Sequence, residues 1–330
     1  MIFSPAIIAL LVGSAFISLM LLYSSYYGGL IVAKWDLHSG SELQLEMERR
    51  TCLISTVIGY ALGFQAVLLI LFIYVADQLA PFFVGAMCAA GSLNVNQWGY
   101  TTMLLKVVNV LFAGVWLVVN HTDSSAFDYP LIRTKYILLM IMAPLATVET
   151  FTLSRYFFDL KPNVITSCCG TLFTPEATGA VGAVVGMPRG PVELVFYSSM
   201  AVTLGSGVYL YLKGIGAGIF SLASAFTFVA SVVALVSFIS PYIYELPTHH
   251  CPFCILQREY HYVGYALYIG LLVGAVCGIG TGIAAHFRNL TSLKESVPRI
   301  QRRLALASVT AYAVFLIISV CGIVFSNLKM

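Results

Sequence analysis

Long intervals without a single charged side chain constrain this chain more than any motif does. Asp, Glu, Lys and Arg are absent from Met1 to Ala33, Thr51 to Ala76, Gln78 to Leu105, Leu194 to Leu212, Gly214 to Tyr244, Tyr260 to Phe287 and Leu304 to Leu328. Each interval exceeds the roughly 18 apolar residues that a membrane-crossing helix needs. Two further apolar stretches are each built around one ionisable residue, roughly Tyr100 to Val119 with Lys106 and Lys135 to Phe157 with Glu149. Pro81, Gly85, Gly91, Asn94, Asn96 and Gln97 break the stretch from Gln78 to Gln97, which therefore reads as a loop with an interfacial helix leading into the third span. The pattern predicts eight transmembrane helices.

Composition agrees. Hydrophobic residues make up 59% of the 330, charged residues 9%, and the mean hydropathy is +0.91, against roughly 25% charged residues in soluble domains. The expected fold class is an all-α polytopic membrane protein, a bundle of eight transmembrane helices. Starting with the N-terminus outside puts eleven lysines and arginines on the cytoplasmic side (Lys34, Arg49, Arg50, Arg133, Lys135, Lys213, Arg288, Lys294, Arg299, Arg302 and Arg303). Five lie outside (Arg155, Lys161, Arg189, Arg258 and Lys329). Both termini are thus expected to face outward. The first span is apolar like a signal peptide but lacks a basic n-region, so it is expected to be retained. A net charge of +3 gives no case for nucleic acid. One membrane domain, 1–330, is expected. A division into four-helix halves, 1–190 and 191–330, is suggested by their common orientation and by cysteine loops in matching places. Polar residues gather on one side and mark no midplane path, which leaves a transporter little support.

The same topology sorts the cysteines. Cys88, Cys168, Cys169, Cys251 and Cys254 fall in outward loops, whereas Cys52, Cys277 and Cys321 fall within or at the ends of spans. Outside a bacterial cytoplasmic membrane, the expected location of this multi-pass chain, disulfides persist, while the cytosol keeps thiols reduced. Structural staples between outer loops are one use of such residues. An odd number of outward cysteines leaves one over for a thiol, for Cys321 or for a partner protein. Cys168 and Cys169 either close a strained bond between neighbours or bind elsewhere, for instance one to Cys88.

The densest chemistry is the run His249-His250-Cys251-Pro252-Phe253-Cys254-Ile255-Leu256-Gln257-Arg258 at the outer start of the seventh span. A dithiol with two-residue spacing can close a disulfide, and a nearby cation can hold one sulfur as thiolate. No βαβ pattern surrounds it, which excludes a thioredoxin-type unit, and Ile255 after the second cysteine excludes covalent haem attachment. What remains is a membrane redox pair or part of a metal site. His249, His250 and His261 stand close by as proton acceptors or thiolate stabilisers. Alternatively His249, His250, Cys251 and Cys254 offer two imidazoles and two sulfurs suited to zinc or copper.

The segment Cys251 to Arg258 resembles the C-x-x-C-x-x-Q-R segment of the DsbB family of disulfide-forming membrane oxidoreductases, where it likewise sits at the periplasmic start of a helix. The resemblance implies that Cys251 and Cys254 pass electrons to a bound quinone and that Arg258 contacts it. DsbB proteins have four spans, with the dithiol near the N-terminus and a second cysteine pair in a later loop. Here the further cysteines, Cys88, Cys168 and Cys169, precede the dithiol. Lys106 and Glu149 should both lie in the outer leaflet, about 9 and 12 Å below the surface at 1.5 Å per residue. They are expected to pair, either to hold two helices together or to line a quinone headgroup site.

The sequence therefore leads to a thiol–disulfide oxidoreductase exchanging electrons between outward cysteines and a membrane quinone. Cys251, Cys254, Cys168, Cys169 and Cys88 would be catalytic, and Arg258, Lys106, Glu149 and His261 would lie at the cofactor. Its expected partners are an extracytoplasmic thiol or redox protein, membrane lipid and other membrane subunits. The alternative is a non-enzymatic subunit of a respiratory or metal-handling assembly that binds copper or zinc. Small residues such as Gly205, Gly207, Gly278, Gly280 and Gly282 are expected to let helices approach closely.

Overall fold

The computed structural model describes residues 4–36, 41–161, 164–166, 173–174 and 180–328. It has eight helices long and apolar enough to cross a membrane. They are α1 (Pro5–Lys34), α2 (Glu42–Leu79), α3 (Trp98–Asp123), α4 (Ile132–Phe158), α5 (Arg189–Lys213), α6 (Ala217–Tyr244), α7 (Val263–His286) and α8 (Ser296–Val324). Among the described residues there is no strand, only an isolated bridge between Val84 and Ile165. Large apolar side chains face outward along the helices, as Leu19, Tyr60, Leu222 and Ile317 do. In water such a surface would aggregate, but in hydrocarbon it costs nothing, while helices satisfy their own backbone. The chain is a multi-pass all-α membrane protein.

The apolar stretches, charge-free or built around one ionisable residue, locate every helix but understate several. Helix α2 starts at Glu42, not near Thr51, because Glu46 and Arg50 pair one turn apart and carry the helix beyond its apolar part. Likewise α5 begins at Arg189, paired with Glu193, and α8 at Ser296. His121 lies in the last turn of α3.

The residues cluster into two compact units. The first comprises Met1–Val75, Asn96–Leu160 and His286–Arg299. In it α4 packs along α1 and α3. The Trp116 indole N–H donates to the Lys135 carbonyl (3.0 Å), and the Ser18 and Thr147 hydroxyls meet at 3.2 Å. Lys135, expected among the cytoplasmic loop cations, is instead fully buried, 2.7 Å from Asp123. The other Asp123 oxygen accepts the Leu131 N–H at 2.8 Å, so one carboxylate both neutralises the lysine and closes the α3–α4 turn.

The second unit comprises Ala76–Val95, Lys161–Ala285 and Ile300–Met330. Here α5 packs along α6, with the Thr203 and Thr227 hydroxyls 2.8 Å apart. A Cβ on Gly278 would lie 2.0 Å from the Ser224 Oγ and one on Gly282 2.4 Å from the Ser221 Oγ, so both positions of α7 are tightly packed against α6. Gly207 is similarly enclosed by Val309 and Phe220, whereas Gly205 faces open space and carries no such contact.

Candidate thiol site

The short helix Ala89–Leu93 between α2 and α3 follows directly on Cys88, whose extended backbone forms its N-cap. All five residues of this helix are buried. After α6, the chain runs through His249 and His250 into Cys251-Pro252-Phe253-Cys254 and two tight 3-10 turns, Cys254–Leu256 and Arg258–Tyr260, before α7. Glu245, His261 and Tyr262 at either end of this segment all take positive φ (57°, 51° and 57°). Left-handed backbone at non-glycine residues costs about 1 kcal/mol or more each and persists only where surrounding contacts enforce it.

Those contacts are specific. The Tyr244 hydroxyl donates to the Cys251 carbonyl (2.5 Å) and accepts the Ile255 N–H (2.8 Å), so one oxygen spans the dithiol loop. The Tyr268 hydroxyl of α7 donates to the Pro252 carbonyl at 2.6 Å. Gly264 lets the loop settle on α7, for a Cβ there would lie 2.9 Å from the Ile255 carbonyl oxygen.

Gln257 supplies the tie to Cys88. Its Nε2 donates to Asp77 Oδ1 in the last turn of α2 (3.0 Å) and to the Met87 carbonyl (2.9 Å). Asp77 Oδ1 also accepts the Ala89 N–H at 3.2 Å. One carboxamide and one carboxylate thus fix residues 87 to 89 against the dithiol loop. The Cys88 and Cys251 sulfurs come to 3.6 Å, and the ligand atoms of Cys88, Cys251 and Cys254 all lie within 4.8 Å of one another. Cys88 and Cys251 are wholly buried and Cys254 is 5% exposed.

His249 adjoins the group at one sulfur, with Nε2 3.3 Å from the Cys254 sulfur and its ring 4.7 Å from that of Tyr244. Burial pushes the imidazole below the ordinary histidine range, with Cys88 opposing and His250 adding to the shift. It is therefore neutral at pH 7. Burial, aided by Cys254 and Glu259, pushes the Tyr260 phenol up, so it stays protonated. His250 turns elsewhere. Its Nδ1 lies 3.0 Å from the Val236 carbonyl, and since a carbonyl only accepts, this nitrogen carries the proton. Val236 belongs to a π-helical stretch, Leu235–Ile239, just before Pro241, where the regular ladder of carbonyl partners is interrupted.

Arg258 and His261 are exposed beside this loop. Cys168 and Cys169 lie outside the described residues. Cys52 and Cys321 are exposed and Cys277 is partly buried, each within a span.

Lys106 and Glu149 pair in the first unit as their positions predict, at 2.7 Å, each 1% exposed. The carboxylate also accepts the Gln65 and Asn109 side-chain amides, while Lys106 donates to the Ser14 hydroxyl at 3.3 Å. Three donors on one carboxylate and two acceptors on one ammonium neutralise what hydrocarbon would otherwise expel. Sequence reasoning singled out neither these amides nor Asp77, and read Tyr244 only as one of the aromatic residues expected at span ends.

No family model matches the chain, and no curated protein or solved structure matches it either.

Proposed function

We propose that this protein is a membrane thiol–disulfide oxidoreductase whose working centre is Cys88, Cys251 and Cys254 and whose electron partner is a membrane quinone. The observation that carries the reading is the gathering of three sulfurs within 4.8 Å from two loops far apart in sequence. Two thiols that close a disulfide release two electrons and two protons, which convert a quinone to a quinol; the reverse reaction opens the bond. A third sulfur within reach adds a transfer step. As thiolate it attacks one sulfur of the disulfide, forms a new bond and expels the other sulfur as thiolate, without net oxidation.

The surroundings suit these steps. Neutral His249 stands close enough to take the Cys254 proton. Arg258, four residues further on and exposed, offers a fixed cation for negative charge developing on a quinone oxygen. Burial of all three sulfurs favours a small planar oxidant over direct attack by a folded partner. A thiol protein would exchange through Cys168 and Cys169, the remaining cysteines that the sequence assigns to outward loops. The reading places the centre on the outward face of a bacterial cytoplasmic membrane. It also draws on the likeness of Cys251 to Arg258 to the DsbB segment.

The decisive experiment reduces the purified protein, places it in lipid nanodiscs and adds a short-tailed benzoquinone. Two thiols should disappear for each quinone reduced, and Cys254→Ser should stop the reaction. Thiols that remain fully titratable in excess quinone, or a rate unchanged in both Cys251→Ser and Cys254→Ser, would sink the proposal.

A further inference from the structure

We infer that the reduced cluster is also a zinc site, with the sulfurs of Cys88, Cys251 and Cys254 and Nε2 of His249 as its four ligands. This goes beyond quinone chemistry and shares with it only the thiol state of the cysteines.

Geometry carries the argument. Tetrahedral zinc with metal–sulfur bonds of about 2.3 Å holds its sulfur ligands about 3.8 Å apart. Cys88 and Cys251 already stand at 3.6 Å, and the third sulfur lies within 4.8 Å of both. The fourth corner needs a neutral nitrogen, and His249 Nε2 lies 3.3 Å from the Cys254 sulfur. The three sulfurs reach tetrahedral spacing by moves of up to about 1 Å, and the His249 ring, which meets Cys254 but lies outside the three-sulfur group, turns toward the other two sulfurs to close the fourth corner. The ligand set differs from the one the sequence offers, because Cys88 enters from the other loop and the imidazole that meets a sulfur is that of His249.

Charge selects the metal. Three thiolates and a neutral imidazole leave one net negative charge around a divalent ion but two around cuprous copper. Burying the second charge costs several kcal/mol more. Soft sulfur with one imidazole is a common structural zinc set. The supports described above act as an outer shell: Tyr244 and Tyr268 hold the carbonyls of the dithiol loop, and Gln257 with Asp77 holds the residues on either side of Cys88. Oxidising any two of the sulfurs removes two ligands at once, so disulfide formation would expel the ion, and bound zinc would protect the thiols.

Cobalt(II) serves as the spectroscopic probe. Reduced, metal-free protein in nanodiscs should take up one cobalt per chain, with thiolate-to-metal charge transfer and intense tetrahedral ligand-field bands, and zinc should displace it. Cys88→Ser should weaken binding by about tenfold or more. His249→Gln should shift the ligand-field bands, while His250→Gln should leave them in place. Reduced protein that takes up no cobalt while its thiols remain titratable overturns the inference. So does uptake indifferent to both Cys88→Ser and His249→Gln. The wild-type stoichiometry and spectrum need no variant to fold. Quinone turnover is read separately as thiol loss, so either proposal can fail alone.

Discussion

Gln257 does two jobs with one amide nitrogen, holding the Asp77 carboxylate and the Met87 carbonyl. Replacing it by Leu removes both bonds and leaves Asp77 Oδ1 with the Ala89 N–H, a loss of about 1–3 kcal/mol. The effect should appear where it matters chemically. In Gln257→Leu, mild oxidation should form the Cys88–Cys251 crosslink about five- to tenfold more slowly than in the native protein, as counted by mass spectrometry of digested, alkylated samples. An unchanged rate would mean that the amide does not position Cys88. This role was invisible in the sequence even though Gln257 stood in the quoted motif. Spacing exposes a pair of sulfurs because both lie in one short segment, and topology exposes Cys88 because it falls on the same side. A hydrogen bond to a carboxylate 180 residues away leaves no local mark. Tyr244 was hidden for another reason: aromatic residues at span ends are expected as membrane anchors, which masks the one whose hydroxyl faces inward.

Helix α4 carries Glu149 into an apolar span, and the partners that make this tolerable come from its neighbours. Lys106→Met leaves a buried carboxylate held only by two amides and should destabilise the protein by about 3–5 kcal/mol. Lys106→Met combined with Glu149→Leu removes both charges and should recover most of that loss, read as the midpoint of thermal unfolding in a fixed detergent. Additive losses would show that the two residues do not act as a pair. The Lys106–Glu149 contact was legible because a lone charge in hydrocarbon demands an opposite one, and these two sat at matching depths. The Lys135–Asp123 pair was not. Both residues lie near span ends, where a charge is normally solvated, and nothing in the sequence marks their burial. Helix ends were blurred for the same reason, since paired charges extend a helix past the point where hydrophobicity stops.

At the scale of the whole chain, the distribution of lysine and arginine makes a firm prediction. With eleven on one side against five on the other, an alkaline phosphatase fused after Ser326 or within 246–248 should be active in a bacterial host. One fused within 214–216 or 289–295 should be inactive, and the reversed pattern would overturn the orientation. Helix number and class were fully legible, because crossing a bilayer needs length and apolarity and both are written locally. The grouping of residues into two compact units was less so. The segment Ala76–Val95 follows the first two spans in sequence yet clusters with Lys161–Ala285, to which Gln257 ties Asp77 and Met87 and Cys251 ties Cys88, contacts that no periodicity records.

Cys88 and Cys251 are separated by 163 positions, which sets a delay during synthesis. At about 5–20 residues per second, roughly 8 to 30 s pass between the ribosome's adding the one and adding the other. Throughout that interval the earlier sulfur lacks the residues that will later enclose it. Biogenesis of this protein therefore includes a vulnerable stage in which premature oxidation would lock the chain into a wrong crosslink, and the yield of correctly assembled molecules should rise when translation is fast or the surrounding medium is kept reducing.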